Sequence, residues 1–250
     1  MKKNTSSKEK GGVGKLPFIS VVIPAYNEEA YLPACLEALK HQTYPKESFE
    51  IIVVDNNSTD KTAAIAKAAG ATVINEKSQG HVFALNTGMK QANGEIIATT
   101  DSDTKVNKDW LKTIERVFRD IEVAAVTGPA WYQSSSKTKR YIVKYSYYVY
   151  LKLHFAVGKP SLSGLNLAVR KSAFYKIKGL DTRYRIFSDV ELGLRIKEVG
   201  KVLFCKELSV VSSPRRWEKG SLEDYYKYLN SYFKTVWLLQ PPKGDLTPRR

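Results

Sequence analysis

Three features of this chain have residue types and spacings suited to chemistry. Asp101-Ser102-Asp103 places two carboxylates one residue apart, directly after the run Ile96-Ile97-Ala98-Thr99. Carboxylates so spaced cannot both enter a core without severe cost. In a tight turn each can aim an oxygen at a divalent cation, and Mg2+ or Mn2+ favours carboxylate oxygens together with phosphate oxygens. An isolated Asp-x-Asp serves equally well as a solvated turn, so its place in the chain has to decide. Asp55 closes a second run, Ile51-Ile52-Val53-Val54, where its carboxylate can accept from the N–H of a base. Ser58-Thr59-Asp60 beyond it read as loop and helix cap. The third feature, Lys10-Gly-Gly-Val-Gly-Lys15, imitates an ATPase phosphate loop. That loop must follow a strand and needs Ser or Thr after its lysine, whereas here a polar leader precedes and Leu16 follows.

The elements that must position these acids are legible from hydrophobic periodicity. Ile19 to Ile23 is a β-branched strand stopped by Pro24. Asn27-Glu28-Glu29 opens a helix whose inward stripe is Leu32, Cys35, Leu36 and Leu39. Ile51 to Val54 is a second strand, followed by an alanine-rich helix that Gly70 stops. Ala71 to Ile74 is a third strand, and Val82, Leu85 and Met89 mark a third helix closed by Asn93-Gly94. Glu95 to Thr99 is the fourth strand, delivering Asp101 and Asp103. Strands alternating with helices predict a doubly wound parallel α/β sheet, in which ligands sit beyond the carboxyl ends of the strands. Tyr26, Asp55, Asp101 and Asp103 all fall at such ends.

Composition bounds the rest. The 250 residues carry 43% hydrophobic and 26% charged side chains, enough for a core without disulfide or metal staples. The two cysteines form neither a disulfide framework nor a Cys-x-x-Cys zinc spacing, so a reducing compartment is expected. No apolar run approaches membrane-spanning length. With 40 Lys+Arg against 25 Asp+Glu the net charge is +15, which predicts an anionic neighbour. The excess is uneven: no Asp or Glu occurs from Val123 to Leu180.

The blocks Phe18-Ile-Ser-Val-Val-Ile-Pro-Ala-Tyr-Asn-Glu-Glu29, Ile51-Ile-Val-Val-Asp-Asn-Asn-Ser-Thr-Asp60 and Asp101-Ser-Asp103 together resemble glycosyltransferase family 2. The likeness continues through Ser163-Gly-Leu-Asn-Leu-Ala-Val-Arg170, Gly179-Leu-Asp181 and Phe187-Ser-Asp-Val-Glu-Leu-Gly-Leu-Arg195, covering about residues 18 to 220. It implies a GT-A fold: a Rossmann-like, mostly parallel central sheet with helices on both faces, plus C-terminal helices on the acceptor side. It implies an inverting, metal-dependent transfer from a nucleoside-diphosphate sugar, usually of uridine, to a glycan or polyprenyl-linked acceptor. Pro24, Tyr26, Glu28 and Asp55 would bind the nucleotide sugar, chiefly its base. Asp101 and Asp103 would hold the ribose and a divalent metal, Mn2+ or Mg2+. Asp189 would be the general base, unless it is simply a helix-start carboxylate favoured by the dipole. Gly164 and Asn166 would line the sugar–acceptor site. Arg216 and Trp217 would join the donor site, unless they form a surface cation–π pair. Arg215, Arg216 or Arg170 would lend the diphosphate cationic support.

The chain departs from the family pattern in three places. Leu85 stands where many members have the Arg of Ala-Arg-Asn, and Ser188 precedes the base where Glu is common. Ser213-Pro-Arg-Arg-Trp217 replaces the Gln-x-x-Arg-Trp of processive synthases, which argues against polymer extrusion. The expected organisation is a leader over 1–16, a transferase domain over 17–220 (a nucleotide half to 105, then an acceptor half) and a C-terminal helix and tail over 221–250.

Tyr141 to Val157 reads as a basic, tyrosine-rich amphipathic helix suited either to an anionic membrane surface or to packing on the domain. A second stripe, Leu222, Tyr225, Tyr226, Leu229, Phe233, Val236 and Trp237, reads as a docking helix. The protein is expected in the cytoplasm, at the inner face of the membrane. Two rivals explain less. A basic nucleic-acid-binding module leaves the strand-end acids unexplained, so no nucleic acid is expected. A sugar-1-phosphate nucleotidyltransferase would want a Gly-rich Arg/Lys signature after the first strand, where Pro24-Ala-Tyr-Asn-Glu28 stands.

Overall fold

The computed structural model describes residues 16–132, 148–213, 215 and 222–241, with side chains from 230 onward in the last segment. Among the described residues ten strands lie in two sheets. In chain order the elements are β1 (Ile19–Ala25), α1 (Leu32–Lys40), β2 (Phe49–Asp55), α2 (Thr62–Ala68), β3 (Thr72–Asn75), α3 (His81–Gln91), β4 (Ile96–Thr99), β5 (Thr104–Val106) and α4 (Trp110–Phe118). There follow β6 (Val123–Thr127), β7 (Ala130–Tyr132), a helix α5 through 148–156, β8 (Leu167–Arg170), α6 (Lys171–Lys176), α7 (Ser188–Ile196), β9 (Lys201–Phe204), β10 (Val210–Ser212) and α8 (Leu222–Leu238).

The main sheet runs β3-β2-β1-β4-β8-β6-β9. Every neighbouring pair is parallel except those that β8 makes with β4 and β6. The expected layering follows from the period of two along β1. Ile19, Val21, Ile23 and Ala25 face one core with Leu32, Cys35, Leu36 and Leu39 of α1 and Trp110, Leu111 and Ile114 of α4. Val22 faces the other, with Leu85 and Met89 of α3, Phe174 of α6 and Leu192 of α7. Helices therefore cover both faces. Gly88 makes this possible for α3, because a Cβ there would drive into Val22 and Val54.

Several local expectations change. β1 continues through Pro24 to Ala25. Val22 O accepts from Thr100 on the β4 side and Ala25 O from Asn56 on the β2 side, so the nitrogen of Pro24 faces β4 beyond their last pair. No ladder bond is lost there. Helix α1 starts at Leu32, after a turn closed by Tyr31 N and Leu32 N on Glu28 O. Lys61, not Asp60, occupies the N-cap of α2, and its side chain makes no capping bond. The antiparallel β8 and the small sheet β5-β10-β7 were not legible as period-two patterns, because their strands are three or four residues long.

In α8 the buried side is Ser231, Thr235 and Val236, with Tyr232 packed beside Phe187 and Val190 of α7, while Phe233 and Trp237 point outward. This corrects the expected stripe for the residues whose side chains are described. Of the tyrosine-rich stretch, 141–147 lie outside the described residues, as do the leader to Lys15, Arg216, Trp217 and the tail from 242.

Candidate active site

At the carboxyl ends of β1 and β2 two loops clasp each other. Asn27 N donates to Ser58 Oγ (3.0 Å), Thr59 N to Asn27 Oδ1 (2.8 Å) and Glu28 N to Thr62 Oγ1 (2.7 Å). Glu29 N donates to Asp60 Oδ2 (3.0 Å) and Lys61 N to Glu29 Oε2 (3.1 Å). Ser58 is thus a brace between loops, and Asp60 has two roles: Oδ2 braces Glu29 while Oδ1 accepts from Thr62 N (2.9 Å), the first amide of α2. Asn27 and Asn57 both take positive φ, at 53° and 64°, where a short polar side chain is better tolerated than most. The clasp leaves Tyr26 half-buried and Asp55 buried, with Asp55 Oδ1 accepting from Ser58 N (3.3 Å). Asn56 then organises the next loop, donating to Glu76 O and Ser78 O and accepting from Gly80 N. Asn56 is a positioning residue that the sequence hid among polar loop residues.

The carboxylates cluster beside this clasp. Glu28 is fully buried, and Asp103 keeps 12% of its side-chain surface. Arg215, arriving from the end of β10, bridges them: Nη2 donates to Glu28 Oε1 (2.6 Å) and Nε lies 2.9 Å from Asp103 Oδ2. Its guanidinium also stands 4.4 Å over the ring of Tyr31. Ser212 Oγ donates to Asp103 Oδ1 (3.3 Å) and His81 Nε2 meets Asp101 Oδ1 at 3.2 Å. Burial pushes the Asp103 carboxyl above its ordinary value, the Asp101 charge adds to the rise, and Arg215 only partly opposes it. Closely spaced carboxylates are the donor set a hard divalent ion satisfies. Asp101 and Asp103, with diphosphate oxygens completing the shell, therefore fit Mn2+ or Mg2+. His81 is a second residue the sequence did not single out. It opens α3 one turn before Leu85, which is buried in the core and offers no donor contact.

Asp189 reaches the same end of the sheet through a chain of contacts. Thr99, the last residue of β4, donates to Gly164 O (2.5 Å), and Gly164 N donates to Asp189 Oδ2 (2.7 Å). Val190 N lies 2.9 Å from Asp189 Oδ1. The left-handed Phe187 (φ 60°) turns the chain into α7 so that this carboxylate sits in its first turn. Gly193 lets α7 approach the 160–162 segment. Tyr232 of α8 packs edge-on against Phe187, two residues before Asp189 (ring centroids 5.3 Å), and burial pushes its phenol up to about 12.

Two expected site residues are elsewhere engaged. Asn166 has no exposed surface. Its Oδ1 accepts from Trp110 Nε1 (2.9 Å) and its Nδ2 donates to Leu208 O (2.7 Å) and Pro129 O (3.2 Å). It ties the loop ahead of β8 to α4 and the small sheet. Arg170 pairs with Ile96, at the opposite end of β4 from Asp101, because β8 runs antiparallel. There it donates to Val123 O, Phe118 O and Asp120 O, so it cannot serve the diphosphate. Arg216 and Trp217 lie outside the described residues.

Comparison with known proteins points the same way. A family model described as "Glycosyl transferase family 2" matches residues 20–178. A Methanococcus voltae protein named as a dolichyl N-acetyl-alpha-D-glucosaminyl phosphate 3-beta-D-2,3-diacetamido-2,3-dideoxy-beta-D-glucuronosyltransferase is 32% identical over 242 residues, 86% of this chain and 71% of that protein. Glycosyltransferase AglE of Haloferax volcanii is 42% identical over 103 residues, 39% of this chain and 34% of that protein. Among solved structures, the mannosyltransferase PcManGT of Pyrobaculum calidifontis, in complex with GDP-Man and Mn2+, superposes with a TM-score of 0.70 at 20% identity, covering 89% of this chain and 63% of that one. TarS 1-349 of S. aureus with UDP-GlcNAc gives 0.67 at 18%, covering 92% and 68%. At those identities the superpositions establish the fold, a mixed α/β GT-A architecture. The chain spans about a third of the length of AglE and under two thirds of that of PcManGT.

Proposed function

This chain belongs to glycosyltransferase family 2, and from that premise we propose an inverting, divalent-metal-dependent transferase that moves one sugar at a time from a nucleoside-diphosphate sugar, a uridine one by preference, to a glycan or polyprenyl-linked acceptor. One observation carries this reading: the Thr99–Gly164–Asp189 chain of hydrogen bonds brings a second, separate carboxylate to the strand end that bears Asp101 and Asp103.

In-line displacement at the anomeric carbon needs a base on the acceptor hydroxyl and charge stabilisation at the departing diphosphate. Asp189 takes the first task. Its two oxygens are each oriented by a backbone amide, Gly164 N and Val190 N. Tyr26, Asp55 and the clasped loops hold the base, and Glu28 acts there through its amide and its ion pair. Asp101 and Asp103 would hold a divalent ion, whose chemistry is Lewis-acid support of the leaving group. A donor hydrolysis panel with Mn2+ tests the reading. Slow release of UDP from at least one UDP-sugar, lost on chelation, is the expected result. Hydrolysis of no UDP-, GDP- or dTDP-sugar, with pyrophosphate released from a nucleoside triphosphate and a sugar 1-phosphate, would establish the nucleotidyltransferase instead.

For location, we place the protein on the cytoplasmic side, touching the membrane with the outer faces of α5 and α8. No helix among the described residues is long and apolar enough to cross a bilayer. Val149, Leu153 and Val157 share one face of α5 and are each at least half exposed, as are Phe233, Trp237 and Leu238 on α8. Tyr232 Oη against His154 Nε2 (2.7 Å) and Lys159 Nζ on Val236 O (2.9 Å) join the two helices. Lys152, Lys159 and Lys234 accompany this face, and each is worth about 1 kcal/mol near anionic lipid. Co-sedimentation with phosphatidylserine vesicles should fall several-fold in Leu153→Ser/Trp237→Ser and in raised salt, with the melting temperature unchanged. Equal pelleting of both proteins would refute the contact.

A further inference from the structure

Arg215 occupies an odd position for a cation-binding site. It holds Glu28 with one nitrogen and Asp103 with another, and it lies over Tyr31. Asp103 keeps 12% of its side-chain surface and has a hydroxyl contact from Ser212 and a long one from Thr104 besides the guanidinium, so its charge keeps support if Arg215 leaves. Glu28, by contrast, keeps 1% of its side-chain surface and its main chain is fixed by Thr62, Tyr31 and Leu32, so losing the guanidinium would strand a buried charge. The pair with Glu28 is therefore the fixed half of the bridge and the contact with Asp103 the exchangeable half. The guanidinium side chain keeps 29% of its surface, so it has room to turn without unpacking a core.

We propose that Arg215 is a stand-in cation: with no donor bound it fills the divalent ion's place on Asp103, and when metal and diphosphate arrive it keeps Glu28, releases Asp103 and grips the diphosphate. This rests on the assignment of Asp103 as a metal ligand. The reason for the exchange is charge. Glu28 and Asp103 share the Arg215 guanidinium, and Asp101 stands two residues from Asp103 against His81, so three carboxylates gather in one corner. A divalent ion on Asp103 would repel the guanidinium, whereas the diphosphate it brings offers oxygens matched to that planar fork. Metal and donor then enter together: the metal alone must compete with Arg215, and the donor supplies the site to which Arg215 moves. No covalent step is involved.

The test is Mn2+ binding followed by the electron paramagnetic resonance of free Mn2+, on the full chain, without nucleotide and then with UDP or GDP. Arg215→Gln should bind Mn2+ without nucleotide about tenfold more tightly than the wild type, and should bind the Mn2+–nucleotide pair at least tenfold more weakly. Arg215→Lys, which keeps the charge but loses the fork, should retain weak Mn2+ binding without nucleotide and lose only part of the nucleotide affinity. It also serves if the Gln variant does not fold. Unchanged or weaker Mn2+ binding by folded Arg215→Gln, with Asp103-dependent Mn2+ binding intact in the presence of nucleotide, would overturn the exchange and leave the metal site standing. Absence of Mn2+ binding in the wild type with either nucleotide would overturn both.

Discussion

Asp189→Asn should lower turnover by about 10²–10⁴, the usual scale for loss of a general base, while nucleotide affinity stays within a few-fold. The geometry explains why the two effects separate. Asp189 is tied to the end of β4 through Gly164 and Thr99, whereas the clasp at the expected nucleotide position is built from residues 27–29 and 58–62. An amide in its place can still accept from one of the two backbone N–H groups, but it cannot take a proton from an acceptor hydroxyl. The measurement is steady-state transfer alongside calorimetric UDP binding and a melting curve. Normal turnover with weakened nucleotide binding would mean that Asp189 belongs to the donor site. A collapse in melting temperature would mean that it serves chiefly as a helix-start brace for α7.

Asp103→Asn should abolish transfer, and it should do so without loss of stability. At neutral pH the Asp103 carboxylate is held against its environment: burial raises its pKa, Asp101 and Glu28 add to the rise, and Arg215 offsets only part. The sign follows directly. A carboxyl whose pKa is higher in the folded than in the unfolded chain costs stability above its folded pKa, and the cost fades as the pH falls through that value. Asn removes the cost at neutral pH, so the variant should melt at or above the wild-type temperature while losing Mn2+ binding. An acid kept at the expense of stability is the signature of a functional site. Transfer undiminished by EDTA in the wild type, or a marked drop in the melting temperature of the variant, would sink this assignment.

What the sequence determined by itself was the half of the protein built from long, periodic elements. β1, β2 and the α1 stripe carry enough apolar residues at spacings of two or of three and four that burial dictates their type and facing. Parallel connection then forces Asp55, Asp101 and Asp103 to one edge, because every strand of a βαβ unit ends on the same side. Local chemistry of short polar segments was less legible. Ser58 and Asp60 look like capping residues; Asp60 Oδ1 does meet Thr62 N, but Ser58 Oγ and Asp60 Oδ2 serve the approaching residues 27–29 as braces. Asn166 is expected in the site because the family resemblance carries it there. Its amide is spent on Trp110, Pro129 and Leu208, partners 56, 37 and 42 positions away that no local pattern reveals.

The direction of β8 was decided by tertiary structure alone. Four residues, Leu167–Arg170, carry no periodicity that distinguishes parallel from antiparallel, yet that choice sends Arg170 to the far end of the sheet and brings Gly164 to Thr99. The partner of Asp103 was likewise a matter of three dimensions: Arg215 is 112 residues distant and reaches the acids only because β10 pairs with β5, itself two residues beyond Ser102. Sequence pattern reports the averaged environment of an element, whereas a site depends on which single side chains long-range pairing brings within hydrogen-bond reach.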